Sequence, residues 1–263
     1  MGYRRNRAKS GLVQTVKLRL CGGDTQRLAP IVGQRREIKM QSMSRDDLGR
    51  LALSIVLTAT AGYVDAIGFL KIGHLFVSFM SGDSTQLAVA ASHSDWSNAR
   101  FPAGIVGLFV LGVMAGRLIA ERTKPWNRAV VLAVEAALLG CAGLTGLTGS
   151  APIVLMVLAM GMQNAVVHKA GDAKMGLTYV TGALVSFGEK AADAFHVSNA
   201  RARWAWAPFL LLWAGLVAGA VGGAIAYRAV RLQGLLIPSV TLVLMAAANA
   251  IYVQNGLKTG TLR

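Results

Sequence analysis

A chain of 263 residues in which 54% are apolar and only 15% are charged does not look like an ordinary soluble domain, which carries about 25% charged residues. The net charge of +15 does not indicate nucleic-acid binding, because the basic residues stand in a leader and between apolar segments rather than along a groove with aromatic residues. The two cysteines, Cys21 and Cys141, are too far apart for a metal motif and imply no disulfide framework.

The chain opens with a basic leader, since 12 of its 27 Lys and Arg residues fall within residues 1–50. The leader lacks an apolar stretch long enough for a secretory signal. Residues 1–47 are therefore expected to form a disordered cytoplasmic tail that its charge holds near anionic lipid. The alternative, which the sequence leaves open, is that the start is misassigned and translation begins at Met43.

Eight apolar segments follow the leader. Six of them are long and apolar enough to cross the hydrocarbon core, which takes about 20 residues. The second and sixth contain Ser, Thr, Gly and charged residues, and such segments are tolerated at membrane depth only where protein or water covers their backbone. The segments span about 49–70, 75–92, 101–120, 130–148, 151–168, 176–196, 206–227 and 235–253.

The positions of Lys and Arg in the loops favour six crossings. If the N-terminus is inside and segments two and six turn back, 10 of the 14 loop cations are cytoplasmic. If all eight segments cross, only 5 are cytoplasmic, against the positive-inside rule. The reverse orientation of eight crossings would translocate the basic leader. The sequence therefore predicts an all-α polytopic membrane protein with six full transmembrane helices and two short or re-entrant segments.

The two halves of the apolar body resemble each other at three places, in the same order. Residues 62–66, 79–83 and 111–116 match residues 161–165, 179–183 and 218–223. We expect a first membrane repeat over 48–148, a second over 149–255 and a short C-terminal tail over 256–263. Three crossings in each half make the repeat inverted, and broken segments in such repeats point to a transporter site. Plain duplication, with glycines kept for packing, is the alternative.

Polar residues inside apolar segments are the candidates for a binding site. Asp65 is the first choice for a proton or cation site, because an acid at membrane depth usually faces a cavity or a partner. The alternative is a carboxyl group that joins two helices. Asp83 either binds a cation or caps a helix over residues 84–92. The predicted substrate- or ion-binding set is Asp65, Asp83, Ser81, Gly82, Asn164, Gln163, Thr181 and Gly182.

Other residues have structural interpretations. Glu135 is expected to reach the membrane interface or to pair with Arg128. His74 and His168 lack the clustered acids or cysteines of a metal site, so no metal and no other cofactor is predicted. Glycines spaced four residues apart share a helix face and permit close packing. These helix-packing residues are Gly112, Gly116, Gly215, Gly219 and Gly223.

Residues 61–69 and 75–83 resemble the opening motif of the YoaK family of bacterial membrane proteins, and residues 161–165 and 178–182 resemble its second motif. The resemblance covers about residues 48–255. Family members usually read Met-Thr-Gly-Asn where this chain reads Met-Ser-Gly-Asp, so Asp83 is an additional acid. The resemblance implies a six-span protein of the bacterial cell membrane and brings no established activity.

These features favour a secondary transporter or permease for an unidentified small solute, coupled to protons through Asp65. It would lie in the bacterial inner membrane with a cytoplasmic N-terminus and the lipid bilayer as its partner. One alternative is a non-catalytic assembly or sensor protein that forms homo-oligomers. A less favoured alternative is a membrane-embedded enzyme acting on lipid or quinone. The sequence shows no nucleophile elbow, zinc motif or phosphate-binding loop, so catalysis is not expected.

Overall fold

The computed structural model describes residues 45–73, 75–144, 149–167, 180–196 and 202–259. The leader up to residue 44, His74, His168 and part of the second YoaK-like motif lie outside these ranges. The described residues form eight α-helices and two short 3-10 helices, Ala202–Trp204 and Arg231–Leu235. The α-helices are α1 Arg45–Ile72, α2 Met80–Ser92, α3 Trp96–Arg122, α4 Asn127–Leu144, α5 Ala151–Val167, α6 Val180–Ala194, α7 Ala207–Val230 and α8 Leu236–Lys258.

The helices fall into two length classes. Six have 17 to 28 residues, whereas α2 has 13 and α6 has 15. At about 1.5 Å per residue, α2 and α6 are shorter than the hydrocarbon core of about 30 Å. Within the described residues, four stretches are long and apolar enough to cross a membrane, and the last contains both α7 and α8. α5 carries a shorter apolar stretch, Ala151–Asn164. The four are Leu48–Ile72, Trp96–Arg122, Asn127–Leu144 and Ala207–Lys258.

Large apolar side chains are exposed along three of the long helices. Leu111 and Met114 on α3, Ile225 on α7 and Leu244 on α8 are each more than half exposed. A soluble protein rarely exposes apolar surface of this extent, whereas in a bilayer these faces contact lipid tails. The buried core lies on the other side of the helices, where side chains of α1, α4, α5 and α8 form one cluster. The predicted all-α polytopic membrane protein is confirmed.

Two pairs of helices cross each other in close contact at glycine residues. α1 packs along α7, and α3 packs along α5. At each crossing, a Cβ added to either glycine would overlap a backbone carbonyl group of the facing helix, so only glycine permits this approach. The contacts are Gly62 with Leu216 and Gly219 with Ala59 between α1 and α7, and Gly161 with Phe109 and Gly112 with Leu158 between α5 and α3.

The second crossing is the internal repeat of the first. Gly161 follows Gly62 by 99 residues, and Gly219 follows Gly112 by 107. The facing residues of the two crossings are displaced by the same two offsets. Gly215 and Gly223 extend the contact with α1, while Gly116 is buried on α3. The predicted two-fold repeat is therefore present in the packing as well as in the sequence.

The first helices of the two halves run in opposite directions. The side-chain amide of Gln163 on α5 donates to the carbonyl oxygen of Leu57 on α1 at 3.2 Å. Farther along α1, a Cβ on Gly68 would lie 3.3 Å from the methyl group of Met156. Residue numbers thus increase along α1 as they decrease along α5, so the two helices are antiparallel. Corresponding helices that run antiparallel define an inverted repeat.

The last helices of the two halves give the same result. The hydroxyl group of Ser239 on α8 donates to the carbonyl oxygen of Ala136 on α4 at 2.8 Å. Later in α4, a Cβ on Gly143 would lie 3.5 Å from the side chain of Leu236, which precedes Ser239. In a chain with eight crossings and a parallel repeat, α4 and α8 would run in the same direction. Their antiparallel packing confirms the inverted arrangement.

Candidate functional site

A non-helical break separates α1 from α2. α1 ends at Ile72, and Gly73 follows with a φ of +76°, the left-handed conformation that glycine adopts without a steric penalty. Residues 75–79 then run without helical hydrogen bonds, yet Leu75, Val77 and Ser78 are buried. In a membrane, the backbone N–H groups of such a break must find partners within the protein.

Two buried carboxyl groups provide these partners. One oxygen of Asp65 on α1 accepts hydrogen bonds from the backbone N–H groups of Val77 and Ser78, both at 2.8 Å, and its other oxygen accepts from the Ser78 hydroxyl group. Asp83 on α2 accepts from the backbone N–H of Phe76 at 3.0 Å. Asp65 is 9% exposed and Asp83 is fully buried. Three consecutive N–H groups of the break are thus bound by acids from the two flanking helices.

Asp83 retains one acceptor that the fold does not use. Its Oδ2 atom is buried and has no hydrogen-bond partner among the described residues. Because α2 begins at Met80, Asp83 lies inside the first helical turn, and the expected role as cap of a helix over 84–92 is wrong. An acid in this turn interacts favourably with the positive end of the helix dipole. Its free oxygen can accept a proton, a cation or a hydrogen-bond donor.

The remaining predicted residues of the break have different surroundings. Gly82 is half-buried, and a Cβ there would lie 3.3 to 3.4 Å from the rings of Phe76 and Phe79. These two rings meet edge to face, with their centroids 5.6 Å apart. Ser81 is exposed. The polar atoms buried at the break therefore come from Asp65, Asp83 and Ser78 and from the backbone.

Gln163 of the second half contacts a helix of the first half. Gln163 is almost fully buried and bonds to α1, as described above. Asn164, which occupies the place of Asp65, is buried and donates to the carbonyl oxygen of Met160 within α5 at 2.9 Å. Thr181 is exposed and Gly182 half-buried on α6, a helix that packs against α7 and buries none of its side chains.

Glu135 is the buried acid that the sequence prediction misplaced. Its side chain is fully buried in α4, and neither carboxyl oxygen has a hydrogen-bond partner among the described residues. The expectation that it reaches the interface or pairs with Arg128 is wrong. The signal was present in the sequence, because apolar residues stand three and four positions away on both sides of Glu135, and these share its helix face.

Comparison with known proteins gives a consistent result. A family model described as a protein of unknown function, DUF1275, matches residues 53–248. A UPF0700 transmembrane protein of Rhizobium meliloti (strain 1021) is 38% identical over 216 residues, which cover 82% of this chain and 91% of that protein. The UPF0700 transmembrane protein YoaK of Bacillus subtilis (strain 168) is 35% identical over 149 residues, or 52% of this chain and 65% of YoaK. No solved structure matches. The resemblance to YoaK is confirmed.

Proposed function

The chain belongs to the DUF1275 family of proteins of unknown function, and from its geometry we propose that it is a secondary transporter for a small solute. The observation that carries the proposal is the inverted repeat with a non-helical break held by Asp65 and Asp83. Inverted repeats give a membrane protein two equivalent halves, and rocking of one half against the other exposes a site between them to each side in turn.

The chemistry of the break indicates the class of solute. Asp65 and Asp83 are both buried, and neither forms an ion pair among the described residues. Two carboxyl groups without a compensating base disfavour an anion. The unused oxygen of Asp83 and the Ser78 hydroxyl group instead favour a solute that is cationic or presents N–H or O–H donors.

The orientation that we propose places the N-terminus in the cytoplasm of a bacterial inner membrane. Arg117, Arg122, Lys124 and Arg128 cluster where α3 ends and α4 begins. The positive-inside rule favours the cytoplasmic side for this connection. Because α1 and α4 then both start inside, the break between α1 and α2 opens toward the outer side. Transport would proceed without chemical change of the solute.

The test measures solute uptake into liposomes. Their membrane contains the purified full-length chain, and they enclose a pH-sensitive dye. Candidate solutes would be supplied by class: cationic, neutral with hydrogen-bond donors, and anionic. We expect saturable uptake of a solute from the first two classes, recovered unchanged by mass spectrometry. Asp83→Asn should reduce uptake by about tenfold or more, since a hydrogen bond to a charged group contributes about 1.5–3 kcal/mol.

Ser84→Ala is the matched control, because Ser84 lies on the same helix turn as Asp83 but is exposed. It should transport as the unmodified chain does. Uptake no faster than in protein-free liposomes for every solute class would refute the transporter proposal and favour an assembly or sensor role. A chemically altered solute would instead indicate a membrane-embedded enzyme.

A further inference from the structure

Glu135 lies at the centre of α4. It is the ninth of the 18 residues of this helix, and its side chain is fully buried with both oxygens unpartnered among the described residues. A buried polar group without a partner is rare in folded proteins and calls for an explanation.

The immediate surroundings of Glu135 are apolar. Val131 and Leu138, on the same face of α4, pack into a cluster with Met162 of α5 and Ile119 of α3. Leu132 and Leu139, on the other flank of that face, belong to the main core cluster. The carboxyl group is therefore enclosed on one flank by the contacts of α4 with α3 and α5. On the other flank it is enclosed by the main core cluster.

No base on the neighbouring elements neutralises Glu135. The elements packed against α4 are α3, α5, α8 and the 3-10 helix Arg231–Leu235, and α5 contains no ionisable side chain. On α3, Arg117 pairs with Glu121 at the surface, and no other described ion pair involves these elements. The ionisable groups on the four elements and on α4 itself are Arg100, Arg117, Glu121, Arg122, Arg128, Cys141, Arg231, Tyr252 and Lys258.

An ionised carboxylate in this position would cost several kcal/mol, so Glu135 is protonated in the conformation described. A protonated carboxyl group that served only to join helices would donate its O–H to an acceptor, and Glu135 has none among the described residues. The acid therefore does not stabilise this conformation.

The second repeat shows that helix packing does not require an acid here. The segment Leu132-x-x-Glu135-Ala-Ala of α4 matches Leu242-x-x-Met245-Ala-Ala of α8. Met245 is partly buried and packs on the main core cluster. An apolar side chain thus serves at the equivalent position of the same scaffold.

We propose that Glu135 reversibly binds a proton, and that this proton is the coupling ion of the transporter proposed above, on which the coupling role rests. In the described conformation the carboxyl group holds the proton away from water. When the halves rearrange and water reaches α4, the carboxyl group releases the proton to water on one side and becomes a carboxylate. Reprotonation from the other side completes the cycle.

The test uses a hydrophobic carbodiimide on the full-length chain in liposomes, without any solute. A protonated carboxyl group adds across a C=N bond of the carbodiimide, and the O-acylisourea formed rearranges to a stable N-acylurea with no leaving group. We expect the peptide containing Glu135 to gain the mass of one carbodiimide molecule at acidic pH. Labelling should fall by about tenfold when the pH is raised from acidic to alkaline, because the protonated carboxyl group is the form that reacts.

Glu135→Gln should lose this labelling while Asp83→Asn retains it. If the Gln variant does not fold, Glu135→Met, which copies the second repeat, provides the unlabelled control. Absence of an adduct at Glu135 at every pH would overturn the proposal, and so would equal labelling across the range, which indicates a permanently protonated structural group. Solute uptake that persists despite either result would leave the transporter proposal standing. Labelling of Glu135 that depends on pH, without any solute uptake, would support proton binding and refute transport.

Discussion

The two repeats share a scaffold but differ in their buried acids. Asp65, Asp83 and Glu135 of the first repeat are all buried, whereas the corresponding residues of the second are Asn164, Ala183 and Met245. Among the described residues of the second repeat, the acids Glu189 and Asp193 lie exposed on α6, where Asp193 pairs with Lys190 at 3.2 Å. The glycine crossings, in contrast, form an equivalent pair, since each joins one helix of the first repeat to one helix of the second.

This difference separates what builds the fold from what performs chemistry. A crossing that tolerates only glycine is a steric requirement of the fold. It therefore recurs where the equivalent pair of helices meets. A buried acid with both oxygens unpartnered among the described residues, such as Glu135, is an energetic burden that packing does not require, and one copy of it is enough for a site between two halves. The scaffold is thus symmetric and its proposed proton chemistry is not. Substitutions at equivalent positions of the two repeats test this distinction.

The largest effect is expected at the glycine crossings. Gly219→Ala and Gly112→Ala each place a Cβ against a backbone carbonyl group of the facing helix, which cannot move without separating the helices. Each should lower the free energy of unfolding by on the order of 1–3 kcal/mol, measured by thermal unfolding in detergent. The two losses should be similar, because the crossings are equivalent.

Gly107→Ala is the matched control on α3, since a Cβ at Gly107 meets no atom within 4 Å. It should be neutral or should stabilise the helix by about 0.5–1 kcal/mol. A Gly112 variant as stable as the Gly107 variant would show that the crossing of α3 with α5 is looser than that of α1 with α7, and the scaffold would not be symmetric.

A comparable loss is expected at the break of the first repeat. Asp65→Ala leaves the buried N–H groups of Val77 and Ser78 without their acceptor, and an unsatisfied buried group costs about 1–3 kcal/mol. Asp65→Asn retains one carbonyl oxygen and should recover part of the loss. The same unfolding measurement distinguishes the two variants. If Asp65→Ala is as stable as the unmodified chain, the carboxyl group does not hold the break.

Much of the architecture could be predicted from sequence because it depends on composition along the chain. Polar and charged residues distinguished the second and sixth segments, which form the short α2 and α6, and charge in the loops indicated how the halves are oriented. The repeat was visible because glycine-containing motifs recur at fixed offsets. Asp65 was predicted as a candidate site residue because an acid inside an apolar segment stands out in the sequence whatever it contacts.

The roles of the other two acids depended on helix bounds that the sequence did not define. The fourth segment was expected over 130–148, which puts Glu135 near one end, but α4 spans Asn127–Leu144 and centres on Glu135. Likewise α2 begins at Met80, which moves Asp83 from a cap into the first turn. The partners of Asp65 could not be foreseen either, because backbone N–H groups carry no sequence signature.

The smallest effect is expected where equivalent helices begin. α3 has the N-cap Asp95, which accepts from the Ser97 hydroxyl group at 2.7 Å and from the side-chain and backbone N–H groups of Asn98. α7 begins after Trp206 without a side-chain cap and has a proline in its first turn. The Ser97 hydrogen bond, followed by those from Asn98, lowers the pKa of Asp95.

This lowered pKa gives the first repeat a pH dependence at its helix start that the second lacks. A carboxyl group whose pKa is lower in the folded chain contributes stability above its unfolded pKa, and this contribution is lost as the pH falls through the folded pKa. Asp95→Asn keeps a capping oxygen but cannot ionise, so it should unfold at a slightly lower temperature than the unmodified chain at neutral pH. In acid the two unfolding temperatures should converge. A difference that stays constant with pH would assign the effect to cap geometry alone, because ionisation of Asp95 would then contribute nothing to the stability of α3.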